Sequence, residues 1–150
     1  MIFVAKKVSD ASGRAAVSAW ISGVCGVPEA GSDGSVPPRW SPDLIGQLSG
    51  LSASVPRATV ATAVRFTLQL LEARAPGQAV EVRVPPFGAV QILPGATHRR
   101  GTPPAVVEMS AEVWLALAVG VLPWSTAISQ GLVAASGNRA DLGELLPLRI

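Results

Sequence analysis

The spacing of apolar residues changes period along this chain. Between residues 9 and 24, Ala16, Val17, Trp20, Ile21 and Val24 recur at helical spacing, with Ser9 or Asp10 placed to cap the start. From Pro56 to Arg74 the pattern is stronger. Val60, Val64, Leu68 and Leu71 fall at i, i+4, i+8 and i+11, with Phe66 and Leu70 beside them and Arg65, Gln69 and Glu72 facing away. A helix is predicted over 56–74, opened by Pro56 and closed by Pro76-Gly77, with Arg74 in the last turn where a cation suits the dipole. The period then drops to two. Val80, Val82 and Val84 alternate with Glu81 and Arg83, Val90 and Ile92 flank Gln91, and Val107 and Met109 stand opposite Val106 and Glu108. Each run is the signature of a strand with one buried face.

Pro85-Pro86 ends the first strand, Phe87-Gly88 lets the chain turn, and Pro94–Pro104 is a loop. Ser110 caps the next helix, with Glu112 in its first turn, a stripe of Trp114, Leu117 and Ala118, and Gly120 at its end. Pro123 opens a second short helix that Gly131 stops. Leu132–Ser136 reads as a fourth strand. Asn138, with Asp141 three residues on, predicts the cap of a last helix that carries Leu142, Leu145 and Leu146 and ends at Pro147. The elements together predict a largely antiparallel sheet with one apolar face and one face bearing Glu81, Arg83, Gln91 and Glu108. Residues 26–56 contrast with this order. Ten of them are Gly or Pro, which makes a loop or linker with at most a helical turn or two around Pro42–Leu48. Trp40 lies there, either as an anchor docking the segment on the domain or as a lid residue.

Composition sharpens the picture in three ways. The chain has 150 residues, enough for one domain with a real core, and 49% are apolar while only 15% are charged, against the usual ~25%. So thin a charged coat suggests an apolar surface partly covered by a ligand or partner. The basic residues are ten Arg and two Lys, the formal net charge is only +2, and no basic run with interleaved aromatics occurs, so nucleic acid is not an expected partner. Cys25 is alone, which excludes a disulfide framework within the chain. Ala15–Val27 has the length of a signal-peptide core, but no A-x-A site follows it, and the cytoplasm is the expected compartment. Val113–Asn138 holds 26 uncharged residues. Its Gly, Pro and Ser interruptions read as two short helices and a strand rather than a membrane span.

Candidate chemistry is sparse. No GxSxG, HExxH, P-loop or GxGxxG motif is present, and His98 is the sole histidine. Glu81 and Glu108 are the one carboxylate pair on neighbouring strands, but they share a face with Arg83, which reads as a solvated ladder of ion pairs rather than an acid–base couple. No enzyme, cofactor or metal centre is expected. His98-Arg99-Arg100 is the densest positive cluster. It could receive an anionic head group or carboxylate, or it could be a solvated loop. The two apolar helices around Trp114 and Trp124 are either core or, in part, the wall of a cavity for an apolar molecule.

Two runs carry a family likeness. One is SAEVWLALAVG at Ser110–Gly120, followed by Trp124, Ala127, Gly131 and Ser136-Gly137. The other is VEVRVPPFGAVQ with HRRGTPPAVVEM, preceded by Ala63-Val64-Arg65 and Ala75-Pro76-Gly77. Over about Arg57–Leu148 the chain resembles the bacterial sterol-carrier-protein orthologue family of actinobacteria. The resemblance implies an α+β, SCP-2-like fold: a mostly antiparallel sheet of about four or five strands with helices on one face and an apolar groove between them. It implies binding of lipid or another apolar molecule, with no cofactor and no catalytic residues. The matching cavity candidates are Val82, Val90, Val107, Trp114, Leu117, Leu122, Trp124 and Ile128. Residues 1–55 are then an N-terminal helical and linker arm, and 56–150 the SCP-2-like domain. Two other readings stay open: an interaction module that keeps the fold with its cavity filled, and a homodimer that hides the apolar helices. Transient membrane contact would accompany lipid exchange.

Overall fold

A computed structural model describes residues 6–25, 54–95, 105–137 and 140–150. The elements are α1 (Asp10–Cys25), α2 (Arg57–Arg74), β1 (Pro76–Val84), β2 (Gly88–Ile92), β3 (Ala105–Met109), α3 (Ala111–Val119), α4 (Trp124–Ser129) and β4 (Val133–Ser136). Trp40, the helical turn around 42–48, most of the Pro94–Pro104 loop and Asn138 lie outside the described residues.

The strands form one sheet in the order β2-β1-β3-β4. β1 and β2 are an antiparallel hairpin, β3 and β4 are antiparallel, and β1 and β3 run parallel. Two of three pairings are therefore antiparallel, as the alternation predicts. Between β1 and β2 the Phe87 N–H donates to Val84 O across a cis Pro85-Pro86 bond, the geometry of a turn with a cis proline at its third position. Val80, Val82, Val84, Ile92, Ala105, Val107, Met109 and Val133 all point into the core. Glu81, Arg83, Gln91 and Glu108 point the other way, as their alternate positions require.

α2 lies between the inner sheet face and α1. Its Ala, Leu, Arg, Gln and Glu residues favour a helix, while β-branched Thr59, Val60, Thr62, Val64 and Thr67 lower its propensity. Burial supplies what propensity lacks: Val60, Ala63, Val64, Phe66, Thr67, Leu68 and Leu71 are all buried. Phe66 and Ala63 serve the side away from Leu68, so α2 is apolar over much of its circumference, the mark of a helix covered on more than one side.

α1 runs antiparallel to α2. Val8 meets Gln69, Gly13 meets Phe66 and Gly23 meets Val55. The Gln69 carboxamide grips both backbone groups of Val8, accepting from its N–H at 3.0 Å and donating to its carbonyl at 3.0 Å. Ala16, Val17, Trp20 and Val24 are buried. Side chains of Val size or larger contribute roughly 1.5–3 kcal/mol each when fully buried, so α1 adds several kcal/mol against typical domain stabilities of about 5–15 kcal/mol. Asp10–Cys25, within the segment expected as an arm, thus packs on the domain's central helix. Trp20 Nε1 is buried here without a hydrogen-bond partner among the described residues, a local cost of about 1–3 kcal/mol.

Ser110 caps α3 as predicted, accepting from Val113 N–H, and Gly120 ends it in the left-handed conformation (φ 86°) that glycine adopts without strain. Over the described residues 140–146 the expected last helix is not formed. Residues 140–150 carry a single turn at 143–145. Asp141 Oδ1 accepts from Gly143 N–H at 2.8 Å, a local turn that competes with helical pairing, and Pro147 follows too soon for another helical turn.

The close contact at Gly13 gives a direct test of α1's place in the fold. A Cβ there would overlap the Phe66 ring. Gly13→Ala should lower the urea midpoint of the whole chain's unfolding, with a loss of about 1–3 kcal/mol from overpacking. An unchanged midpoint would mean that α1 does not pack on α2.

Candidate apolar binding site

The register brings three of the expected cavity residues into one row. Val90 pairs with Val82, and Val82 with Val107, which in turn pairs with Ala135 on β4. The row is closed in the middle and opens at both ends. Val82 and Val107 are fully buried, Val90 is half-buried and Ala135 is exposed. Trp114 and Leu117 on α3 are buried beside α2, and Leu122 is buried just after α3. Trp124 is half-buried, while Ile128, one turn on along α4, is 42% exposed and is the one large apolar side chain exposed among the described residues. His98, Arg99 and Arg100 lie outside the described residues.

One residue that periodicity left unassigned is central. Thr67 is fully buried, and its hydroxyl shares its proton between the carbonyls of Ala63 (2.8 Å) and Val64 (3.0 Å). Its oxygen accepts from Trp114 Nε1–H at 2.8 Å. A buried Trp usually pairs its N–H in this way, and among the described residues Trp114 does where Trp20 does not. The signal was present in the sequence: Val60, Val64, Thr67 and Leu71 follow i, i+4, i+7 and i+11, placing one hydroxyl on an apolar stripe.

On the outer sheet face, Arg83 makes two hydrogen bonds to Glu81, Nε to Oε1 at 3.0 Å and Nη2 to Oε2 at 3.2 Å. Glu108 is Arg83's neighbour across the β1–β3 pairing. The bonds to Glu81, then the charges of Glu81 and Glu108, hold the Arg83 guanidinium more firmly protonated than usual. Glu81 is thus ion-paired with a permanent cation on the solvated face, while Glu108 adds only a longer-range attraction. No group of three or more His, Cys, Asp or Glu side chains placed to hold a metal occurs among the described residues. On the other side of α2 from the sheet, an open groove of about 360 Å³ is lined by Ser12, Ala15, Ala16 and Ala19 of α1 and Ala58, Thr59 and Thr62 of α2, apart from every expected site residue.

A family model described as a bacterial SCP ortholog matches residues 56–148. The chain belongs to that family. Its α+β architecture, a mixed four-stranded sheet with helices against one face, is consistent with the SCP-2-like fold. Comparison with curated proteins finds no match. SCP-like proteins are in general non-enzymatic carriers, and membership associates the chain at a coarse level with binding of lipids or other apolar molecules. No described helix is long and apolar enough to cross a membrane.

The Trp114–Thr67 bond makes a second prediction. Thr67→Val removes the acceptor and leaves a buried indole N–H unpaired, so urea unfolding should report a loss of about 1–3 kcal/mol. Trp114→Phe should then cost less in the Thr67→Val background than in the wild type, by a coupling of at least about 0.5 kcal/mol. Strict additivity of the two substitutions would exclude the bond.

Proposed function

We propose that this SCP-family chain binds a lipid or other apolar small molecule between the inner sheet face and α3–α4, as a cytoplasmic carrier or sensor without catalysis. Val82, Val90, Val107, Trp114, Leu117, Leu122, Trp124 and Ile128 are the candidates for ligand contact, and the His98–Arg100 cluster for an anionic head group. The observation that carries the reading is the gradient of burial along these residues. The centre is sealed by Trp114, and apolar side chains become accessible towards Trp124 and Ile128. Such a surface suits a ligand that enters at α4 and extends inward by displacing side chains. Loading would involve transient contact with a membrane.

One observation favours a second reading. Val82, Val107, Trp114, Leu117 and Leu122 are all 2% exposed or less and belong to one continuous core. An interaction module that keeps the fold with its interior filled would look like this in the centre, and α4 would then be its contact surface.

Titration with cis-parinaric acid, a fluorescent fatty acid that accepts energy from tryptophan, separates the two. The binding reading expects saturable transfer from the protein's tryptophans. Ile128→Glu should weaken binding about tenfold or more, equivalent to about 1.4 kcal/mol. Absence of saturable binding by this probe and by sterol and phospholipid probes leaves only the interaction module.

A further inference from the structure

The geometry points to residues Asp141–Ile150 acting as an intramolecular strap that an apolar ligand must displace, an inference that rests on the binding reading above. The segment has no helix or strand, yet six of its ten residues are Leu, Ile or Pro: Leu142, Leu145, Leu146, Pro147, Leu148 and Ile150. Leu142 and Leu148 are buried in the main core, and Leu145, Leu146 and Ile150 pack half-buried against it. The strap crosses the end of α3 and the start of α4. Leu148 N–H donates to Ala118 O at 2.9 Å, taking a carbonyl of the last turn of α3 that the helix itself cannot satisfy. Pro147 sits against Gly120, where an added Cβ would come within 3.2 Å of the proline ring, and Gly143 lies equally close to the Trp124 indole.

The polar fastenings are few. Besides the Leu148–Ala118 bond, Arg74 Nη1 donates to Pro147 O at 3.3 Å at an exposed position. Among the described residues, the Asp141–Gly143 and Leu145–Leu142 bonds hold the strap's turn. Ordering a segment without helical or sheet pairing has an entropic cost at every residue, so its attachment depends mainly on Leu142 and Leu148 in the core, with Leu145, Leu146 and Ile150 packed against it, Pro147 against Gly120 at the end of α3 and Gly143 beside Trp124. Those are the contacts an acyl chain or a ring system would make in its place. Strap and ligand are chemically equivalent occupants of one surface, and only one of them covers it at a time. Because the strap is always at high effective concentration, it lowers the apparent affinity for ligand by the fraction of time it is closed.

Hydrogen exchange on the full chain, with and without saturating palmitate, tests this together with Leu148→Ala. Displacement predicts that palmitate accelerates exchange of the Leu148 and Leu145 amides while the α3 amides stay protected, and that Leu148→Ala binds palmitate several-fold more tightly than the wild type. Binding seen only in Leu148→Ala also supports the strap. Palmitate binding that leaves Leu148 equally or better protected, with no gain in affinity for Leu148→Ala, overturns the strap and leaves the binding reading standing. No binding by either protein removes both.

Discussion

The hydrogen bond between Trp114 and Thr67 is the constraint on which the rest of the structure depends. It joins α2 to α3, the two helices that close over the sheet, at a fully buried place, Thr67 and Trp114 both being 0% exposed. An indole is the largest side chain, and an unpaired N–H here would carry the cost of about 1–3 kcal/mol that Trp20 bears. Thr67 satisfies it while its own proton is taken by the turn below, so a β-branched polar residue becomes compatible with a helix interior. Once Trp114 is fixed, Leu117 and Leu122 follow into the core, the Gly120 cap sets where the chain turns, and α4 is left with Trp124 half-covered and Ile128 outside.

This arrangement gives the inner sheet face two regimes. Under α2 and α3 it is a close-packed core, in which a ligand could enter only by moving side chains. Towards β4 and α4 the cover thins, leaving Ala135 and Ile128 exposed and Trp124 half-buried. The outer face offers no comparable chemistry. Its Arg83–Glu81 ion pair is solvated, so it is screened by salt and contributes little. What distinguishes the molecule chemically is therefore the graded apolar surface, in keeping with a family of apolar-molecule carriers.

Much of this was legible in the sequence. Strict alternation through Val80–Val84 and Val106–Met109 fixes which side chains face inward whatever the strand order, because a one-residue slip would put Glu81 or Glu108 in the core. The Ser110 and Gly120 caps are local signals and formed as expected. Long-range facts were not legible. The parallel pairing of β1 with β3 depends on how a loop carries the chain past β1, which periodicity does not encode. The docking of α1 depends on Gly13 fitting the Phe66 ring, and a glycine in a helix announces no partner. The Asp141–Pro147 segment has the spacing of a helix, but the Asx turn at Gly143 outweighs a pattern this short. Among the candidate ligand residues, which the family resemblance supplied, alternation placed Val82, Val90 and Val107 on the apolar sheet face. The pattern could not separate core from accessible surface, because Trp114 and Trp124 look alike until the helices are packed.

Native mass spectrometry of the full chain as purified tests the central claim most directly. The account predicts a population carrying one bound species of lipid mass, lost on gentle activation and restored on incubation with a lipid extract. The bare chain mass alone, both as purified and after that incubation, would contradict it.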